Sequence, residues 1–95
     1  MSLLFEWDEN KAQTNLNKHG ISFDEAQTVF TDNFSIMITD PNHSDDEERL
    51  IIIGRANTGT LLVVVYTERD AKIRLISARK ATREERRKYE AADSY

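Results

Sequence analysis

Residues 73–88 read IRLISARKATREERRK and carry seven arginine or lysine side chains. Cationic side chains at this density predict a surface that binds an anionic partner. Arg79 falls at the end of a predicted strand, and Arg83 falls in the first turn of the helix predicted after it, where unpaired backbone N–H groups favour negative charge. Arg79 and Arg83 therefore predict a phosphate clamp, with ion pairs to the acidic first half of the chain as the structural alternative.

The predicted strand over residues 72–79 sets the direction in which Arg79 points. With regular alternation, one face of this strand carries Ile73, Leu75, Ser77 and Arg79, and the other carries Arg74, Ile76, Ala78 and Lys80. Arg79 then extends a row that is otherwise buried. Because a guanidinium cannot lose its proton, we expect it to meet an anion there, either a carboxylate or a phosphate.

Charge is segregated along the sequence. The net charge of the whole chain is −4, but residues 1–48 contribute −9 and residues 49–95 contribute +5. Binding of a polyanion depends on the local potential of one face, so an acidic protein can still carry a basic binding surface.

A second polar group lies on the first predicted helix. Lys11, Asn15 and Lys18 are spaced i, i+4 and i+7, which places them on one stripe, with His19 beside it. These side chains could converge on a phosphate, and an imidazole can take or give a proton near neutral pH. The alternative is that the lysines are solvated and that Lys18 and His19 complement the helix dipole just before Gly20.

Residues 45–48 read DDEE and follow His43, which raises the question of a hard-cation site. Consecutive carboxylates in a loop point in different directions, and their spacing matches no EF-hand, so we predict a solvated acidic loop and no metal site. Glu48 is kept as a candidate because it borders the strand that begins at Arg49. With only three glycines, the chain can form neither a Gly-rich phosphate loop nor a dinucleotide fingerprint, and no cofactor is predicted.

The helices and strands that position these residues are predicted from the periodicity of hydrophobic residues and from helix-capping residues. Strands are predicted over residues 3–7, 34–39, 49–55, 60–69 and 72–79, and helices over Glu9–His19, after Ser22 and from Arg83 to near Ala92. Asp8 is a helix N-cap, Gly20 a C-terminal cap, and Ser22 and Thr82 each open a capping box. The order β-α-α-β-β-β-β-α predicts an α+β fold with a mainly antiparallel four- to five-stranded sheet, two N-terminal helices and one C-terminal helix.

Length and composition bound the protein class. Ninety-five residues with 39% hydrophobic content suit a single domain over residues 1–95. The absence of cysteine fits a reducing compartment, and the apolar stretches are far shorter than the ~20 residues of a membrane span. We therefore expect a cytoplasmic protein with no membrane partner.

Several motifs, in order along nearly the whole chain, resemble the BrnT family of toxins. They are Phe5-Glu6-Trp7-Asp8 followed by Lys11 and Asn15, Lys18-His19-Gly20-Ile21-Ser22-Phe23 with Glu25-Ala26, Glu48-Arg49 with Gly54, and Ile76-Ser77-Ala78-Arg79-Lys80-Ala81 with Arg83, Glu85, Arg86 and Tyr89. The resemblance implies a small ribonuclease toxin of a bacterial type II toxin–antitoxin pair with a RelE-like fold. It also implies a BrnA-like antitoxin partner in a hetero-oligomer, which links the toxin indirectly to operator DNA.

The resemblance also implies where the active surface lies. It places Lys18, His19, Arg49, Arg79 and Arg83 at the catalytic surface, with Glu48, Lys11 and Tyr89 in second rank. The residues predicted to contact RNA are Arg74, Lys80, Arg86 and Arg87, and Lys88 is a further RNA or antitoxin contact. Tyr89 is also the main apolar residue of the last helix, which favours an anchoring role over a catalytic phenol.

The chemistry of RNA cleavage agrees in kind with these residues. RNA carries its own nucleophile, the 2′-OH, so cleavage without a metal needs a proton acceptor, a proton donor and cations beside the phosphate. His19 or Glu48 could be the base. Our hypothesis is that His19 handles protons, Lys18 orients the phosphate, and Arg79 with Arg83 stabilises the transition state.

Two other functions compete with this hypothesis. The chain could be a non-catalytic module that binds an antitoxin in a regulatory complex on DNA, which predicts complex formation without RNA cleavage. A weaker third possibility is a metal-dependent nuclease that uses residues 45–48, which predicts activity that vanishes in EDTA and returns with Mg²⁺.

Overall fold

The computed structural model describes residues 3–39 and 48–92 of the chain. His43 and residues 45–47, the centre of the cation-site hypothesis, lie outside the described residues. The elements in chain order are β1 (Phe5–Glu6), α1 (Glu9–His19), α2 (Phe23–Gln27), a 3-10 turn (Thr28–Thr31), β2 (Ile36–Thr39), β3 (Leu50–Arg55), β4 (Leu61–Arg69), β5 (Lys72–Lys80) and α3 (Arg83–Ala92). The predicted α+β class and element order are confirmed.

The helices begin and end where the sequence places their caps. The Asp8 carboxylate accepts hydrogen bonds from the first backbone N–H groups of α1, and Gly20 ends this helix with a φ of 73°. Ser22 caps α2 by accepting from the N–H of Glu25. Among the described residues, no helix is both long enough and apolar enough to cross a membrane.

The sheet has five strands in the order β1-β5-β4-β3-β2. β1 runs parallel to β5, while the other three neighbouring pairs are antiparallel. β1 pairs only with Ile73 and Arg74, so beyond these residues no strand of the described part of the chain lies beside the edge of β5. β2 begins at Ile36 rather than the predicted residue 34, because the Asp32 carboxylate accepts the N–H of Phe34 and forms a turn there.

Each face of the sheet packs against different helices. We call the α1 face the one that carries Ile52, Leu62 and Val64 and buries α1 and α2, and the α3 face the one that carries Ile53, Leu61 and Val63 and packs against Tyr89 of α3. Burial of large aliphatic side chains stabilises each face by about 1.5–3 kcal/mol per residue. The two groups of cationic residues, on α1 and on α3, are therefore separated by the sheet.

A β-bulge in β5 decides which face Arg79 occupies. Leu75 pairs with Tyr66 and Ser77 pairs with Val65, so Ile76 is an extra residue with no partner on β4. The side-chain alternation therefore reverses after Ile76. Ala78, not Arg79, continues the row of Ile73 and Leu75 in the α1 face. The expectation that Arg79 extends this row was wrong, because it assumed regular alternation.

Candidate functional site

A groove lies between α1 and the bulged edge of β5. Its volume is about 290 Å³, and the residues that line it are Asn10, Lys11, Thr14, Asn15, Lys18, His19, Ile76 and Ser77. The i, i+4, i+7 stripe predicted on α1 thus forms one wall, and the bulge residues Ile76 and Ser77 form the other. No carboxylate is among these lining residues, so the polar groups facing the groove are cations, an imidazole, hydroxyls and amides.

Asn15 fixes the position of α1 in this groove. Its side-chain amide donates to the carbonyl of Ala78 at 2.9 Å and to that of Ile21 at 3.0 Å, while its carbonyl oxygen accepts the N–H of Ala78 at 3.0 Å. The amide thus replaces a neighbouring strand at the open edge of β5, where β1 no longer reaches. Asn15 is buried and does not offer a free group to a phosphate.

The remaining groove residues are accessible to a ligand. Lys11 and Lys18 are exposed and His19 is half-buried. Lys18 and His19 occupy the last turn of α1, so the dipole interaction proposed as the structural alternative is also present. The two interpretations are compatible, because a cation beside a helix C-terminus still binds a second anion. The sequence analysis did not identify Asn10 and Thr14 of α1 as groove residues. It also missed Ile76 and Ser77, whose place in the groove depends on the bulge.

Arg79 lies on the other side of the sheet and is already paired. Its two terminal nitrogens each donate to one carboxylate oxygen of Glu85 at 2.8 Å, and one of them also donates to the carbonyl of Lys80. This bidentate pairing lowers the pKa of Glu85 to about 2, with the Arg79 hydrogen bonds as the main cause, and raises the pKa of Arg79. The anion that Arg79 needs is therefore Glu85, six residues away, rather than the acidic first half of the chain.

The rest of the predicted basic surface surrounds the start of α3. Thr82 accepts from the N–H of Glu85, and the Glu85 carboxylate accepts from the N–H of Thr82, so the predicted capping box forms. Arg83, Arg86 and Arg87 are exposed on the helix. They form a cationic surface that is separate from the α1 groove.

Other predicted RNA-binding residues are dispersed. Lys80 is exposed and pairs across the strands with Leu62, which places it on the α1 face with Ala78. Arg74 donates to Glu6 at 3.4 Å, an ion pair at the junction of β1 and β5. Lys80 is thus available to the groove side, whereas Arg74 already has a carboxylate partner.

Arg49 and Glu48 lie at the opposite end of the strands from Arg79. Arg79 pairs with Val63 of β4, which in turn pairs with Ile53 of β3. Arg49 lies four positions before Ile53, which corresponds to about 13 Å of extended chain. Glu48 is exposed, and its backbone carbonyl accepts from the Thr67 hydroxyl. The structure therefore does not bring Arg49 and Arg79 into one site.

Tyr89 is held as an anchor. Its hydroxyl donates to the Asp32 carboxylate at 2.6 Å, and the Arg55 guanidinium lies 5.6 Å from the ring centroid. Burial and the hydrogen bond to Asp32 raise the pKa of Tyr89. Burial also raises the pKa of Asp32, but its hydrogen bonds from Tyr89 and from the N–H groups of Arg55 and Phe34 outweigh that effect and lower it overall. These contacts favour the anchoring interpretation.

Within the stretches 3–39 and 48–92, no group of three or more histidine, cysteine or acidic residues is arranged to hold a metal ion.

Comparison with known proteins identifies the class to which this fold belongs. Residues 7–85 match the family described as the ribonuclease toxin, BrnT, of type II toxin–antitoxin systems. The crystal structure of the Brucella abortus ribonuclease toxin BrnT is similar to this chain, with a TM-score of 0.63 and 27% sequence identity over 86% of this chain and 100% of that one. A search of curated protein sequences found no match. The fold and motifs are those of a small toxin of a toxin–antitoxin pair. This chain belongs to the BrnT family of ribonuclease toxins.

Proposed function

We propose that this chain is a metal-independent endoribonuclease toxin, which cleaves RNA in the α1 groove and thereby arrests bacterial growth. The observation that carries the proposal is the convergence of Lys11, Lys18 and His19 on one carboxylate-free groove. Membership of a ribonuclease toxin family supports the substrate class. In the proposed reaction His19 transfers protons, while Lys18 and Lys11 hold the scissile phosphate.

The reaction itself needs few groups. A base removes the proton of the 2′-OH, the 2′-oxygen attacks the adjacent phosphorus, and the bond from phosphorus to the 5′-oxygen breaks. The products are a 2′,3′-cyclic phosphate and a 5′-hydroxyl, to which an acid returns a proton. His19 can serve one of these proton transfers, whereas Glu48, just before β3, is not among the residues that line the groove.

Single substitutions of the groove residues should strongly lower the rate of RNA cleavage. Loss of a proton-transfer group costs about 10²–10⁴ in rate and loss of one charge-stabilising donor about 10²–10³. We expect His19→Ala and Lys18→Ala to lose cleavage of bulk RNA in EDTA by these factors. Asn17→Ala is a matched control, because Asn17 is exposed on the same helix and does not line the groove.

The assay in EDTA separates the competing functions. Full activity in EDTA supports metal-independent cleavage, while activity that returns only with Mg²⁺ favours the metal-dependent alternative. Tight binding to antitoxin without any cleavage by the wild-type chain favours the non-catalytic module. Growth arrest on expression of the toxin alone, absent with His19→Ala, tests the cellular effect.

The role of Arg79 can be decided by comparing two substitutions. If the guanidinium stabilises the transition state, Arg79→Ala should lose about 10²–10³ in rate, while Glu85→Gln should keep or raise the rate because it frees the guanidinium. If Arg79 only joins α3 to the sheet, both substitutions should lower stability and neither should change the rate of the folded protein. If Arg79→Ala and His19→Ala both leave cleavage intact, the assignment of the active surface is wrong.

We further propose that the antitoxin is a DNA-binding protein. It silences the toxin by covering the cationic surface of α3, which Arg83, Arg86 and Arg87 form. The charge segregation between the two halves of the chain supports this route, since an acidic segment would be attracted to the basic half. Charge reversal at Arg83 and Arg87 should then weaken the complex, and unchanged affinity would count against occlusion of the α3 surface.

A further inference from the structure

The two edges of the sheet are treated differently. At the β5 edge, the amide of Asn15 satisfies the backbone of Ala78 and α1 covers the strand. At the other edge, β2 pairs with β3 on one side, and among the described residues no strand pairs with its outer side. An open edge is a template for another strand, and proteins usually protect it with charged residues or proline.

β2 has none of these protective residues. The stretch 33–39 reads NFSIMIT, without a charged residue or proline. Three of its large apolar side chains are exposed, Phe34 by 56%, Met37 by 61% and Ile38 by 43%. Met37 and Ile38 point to opposite faces of the sheet, so an added strand could contact both with alternate side chains. A run of apolar residues on an unpaired edge marks an interaction site.

The charge around β2 indicates what kind of partner fits. The strand belongs to the half of the chain with a net charge of −9, and acidic residues flank it in sequence, Asp32 before it and Asp40 and residues 45–48 after it. A second copy of this chain paired edge to edge would bring two such acidic halves together, which costs free energy. A strand that combines apolar and basic residues avoids this repulsion and can still cover the apolar side chains of β2.

We propose that the β2 edge binds an extended segment of the antitoxin, in which apolar residues contact Phe34, Met37 and Ile38 and lysine or arginine residues complement the net negative charge of residues 1–48. This inference rests on the proposed pairing with an antitoxin. The β2 edge lies three strands from β5, about 14 Å across the sheet, so this strand anchors the antitoxin away from the groove. Anchoring and occlusion are then separate contacts.

The experiment measures the affinity of the cognate antitoxin for purified toxin variants by calorimetry. Phe34→Lys and Met37→Lys each place a positive charge where a basic, apolar strand binds. We expect each to weaken the complex by about tenfold or more, since burial of a side chain of this size changes an equilibrium by one to two orders of magnitude. The matched control is Asn33→Lys, which adds the same charge at an exposed position in the turn before β2 but replaces no apolar side chain. Its affinity should stay within about threefold of the wild type.

Two further measurements separate the outcomes. RNA cleavage by the free variants should equal that of the wild type, because β2 is remote from the groove. If the wild type does not cleave RNA at all, the affinity measurement still tests the proposal. Hydrogen exchange should reveal new protection of residues 36–39 in the complex. Full affinity of both lysine variants overturns the proposal. So does a free toxin that is dimeric in solution and becomes monomeric in these variants, which would assign the edge to a second copy.

Discussion

Replacing Glu85 with glutamine should lower the free energy of unfolding at neutral pH. In acid, the difference in this free energy between the wild type and the variant should be much smaller. The substitution keeps the shape of the side chain and an oxygen for the N–H of Thr82, but it removes the charge that Arg79 binds at 2.8 Å through two nitrogens. A pKa of about 2 in the folded chain against an ordinary value of 4.5 corresponds to at most about 3.4 kcal/mol. Because 42% of the Arg79 side chain and 22% of the Glu85 side chain are exposed, solvent screening reduces this to about 1–2 kcal/mol.

The pH dependence follows from the sign of the shift. The folded-state pKa of Glu85 lies below the unfolded-state value, so the pair stabilises the fold fully above about pH 5, and this contribution is lost as pH falls from 4.5 towards 2. The difference in free energy of unfolding between wild type and Glu85→Gln should therefore fall by about half between pH 5 and pH 3. This difference is measured by urea denaturation of both proteins at several pH values, followed by circular dichroism.

Glu84→Gln is the matched control for this experiment. Glu84 is the neighbouring residue in the first turn of α3 and is exposed, so its substitution alters the same helix dipole without breaking the Arg79 pair. Its effect should stay below about 0.5 kcal/mol. A Glu85→Gln loss that equals that of Glu84→Gln, or that is as large at pH 3 as at pH 7, would refute the reasoning.

Three further predictions concern residues that hold the fold together. Asn15→Ala should lower the free energy of unfolding by about 2–4 kcal/mol, measured by urea denaturation, because it leaves the backbone groups of Ala78 unpaired at a buried edge; a loss below 1 kcal/mol would mean that water replaces the amide. Tyr89→Phe should cost about 1 kcal/mol in the same assay through loss of the bond to Asp32, and no cost would contradict an anchoring hydroxyl. Gly54→Ala should lower the melting temperature, since its methyl group would lie 3.2 Å from the carbonyl oxygen and 3.3 Å from Cβ of Val29; an unchanged melting temperature would show that this contact can relax.

Local signals in the sequence predicted the elements well. The bounds of α1 follow from Asp8 and Gly20, and the capping box at Thr82 forms as expected, because caps involve residues only a few positions apart. The stripe of Lys11 and Lys18 was likewise predictable from helical spacing. These interactions depend on neighbours along the chain, so the sequence carries them directly.

Features that depend on pairing between strands were not predictable in the same way. The parallel pairing of β1 and the bulge at Ile76 are set by the register against β5 and β4, which no short window contains. The burial of Asn15 follows from the short length of β1, which leaves an edge for its amide to pair. The bulge also turns Arg79 towards the α3 face, so its partner is Glu85 and not a carboxylate of the acidic half.

The bulge has a consequence for comparing relatives of this chain by alignment. Because Ile76 is one extra residue in the strand, every later side chain of β5 points to the face opposite to the one that regular alternation predicts. A relative that lacks this residue would present the arginine aligned with Arg79 to α1 and its imidazole, although the two sequences would look almost the same. The presence of the arginine therefore does not show which helix it faces. That depends on the number of residues between the aliphatic row of β5 and the arginine.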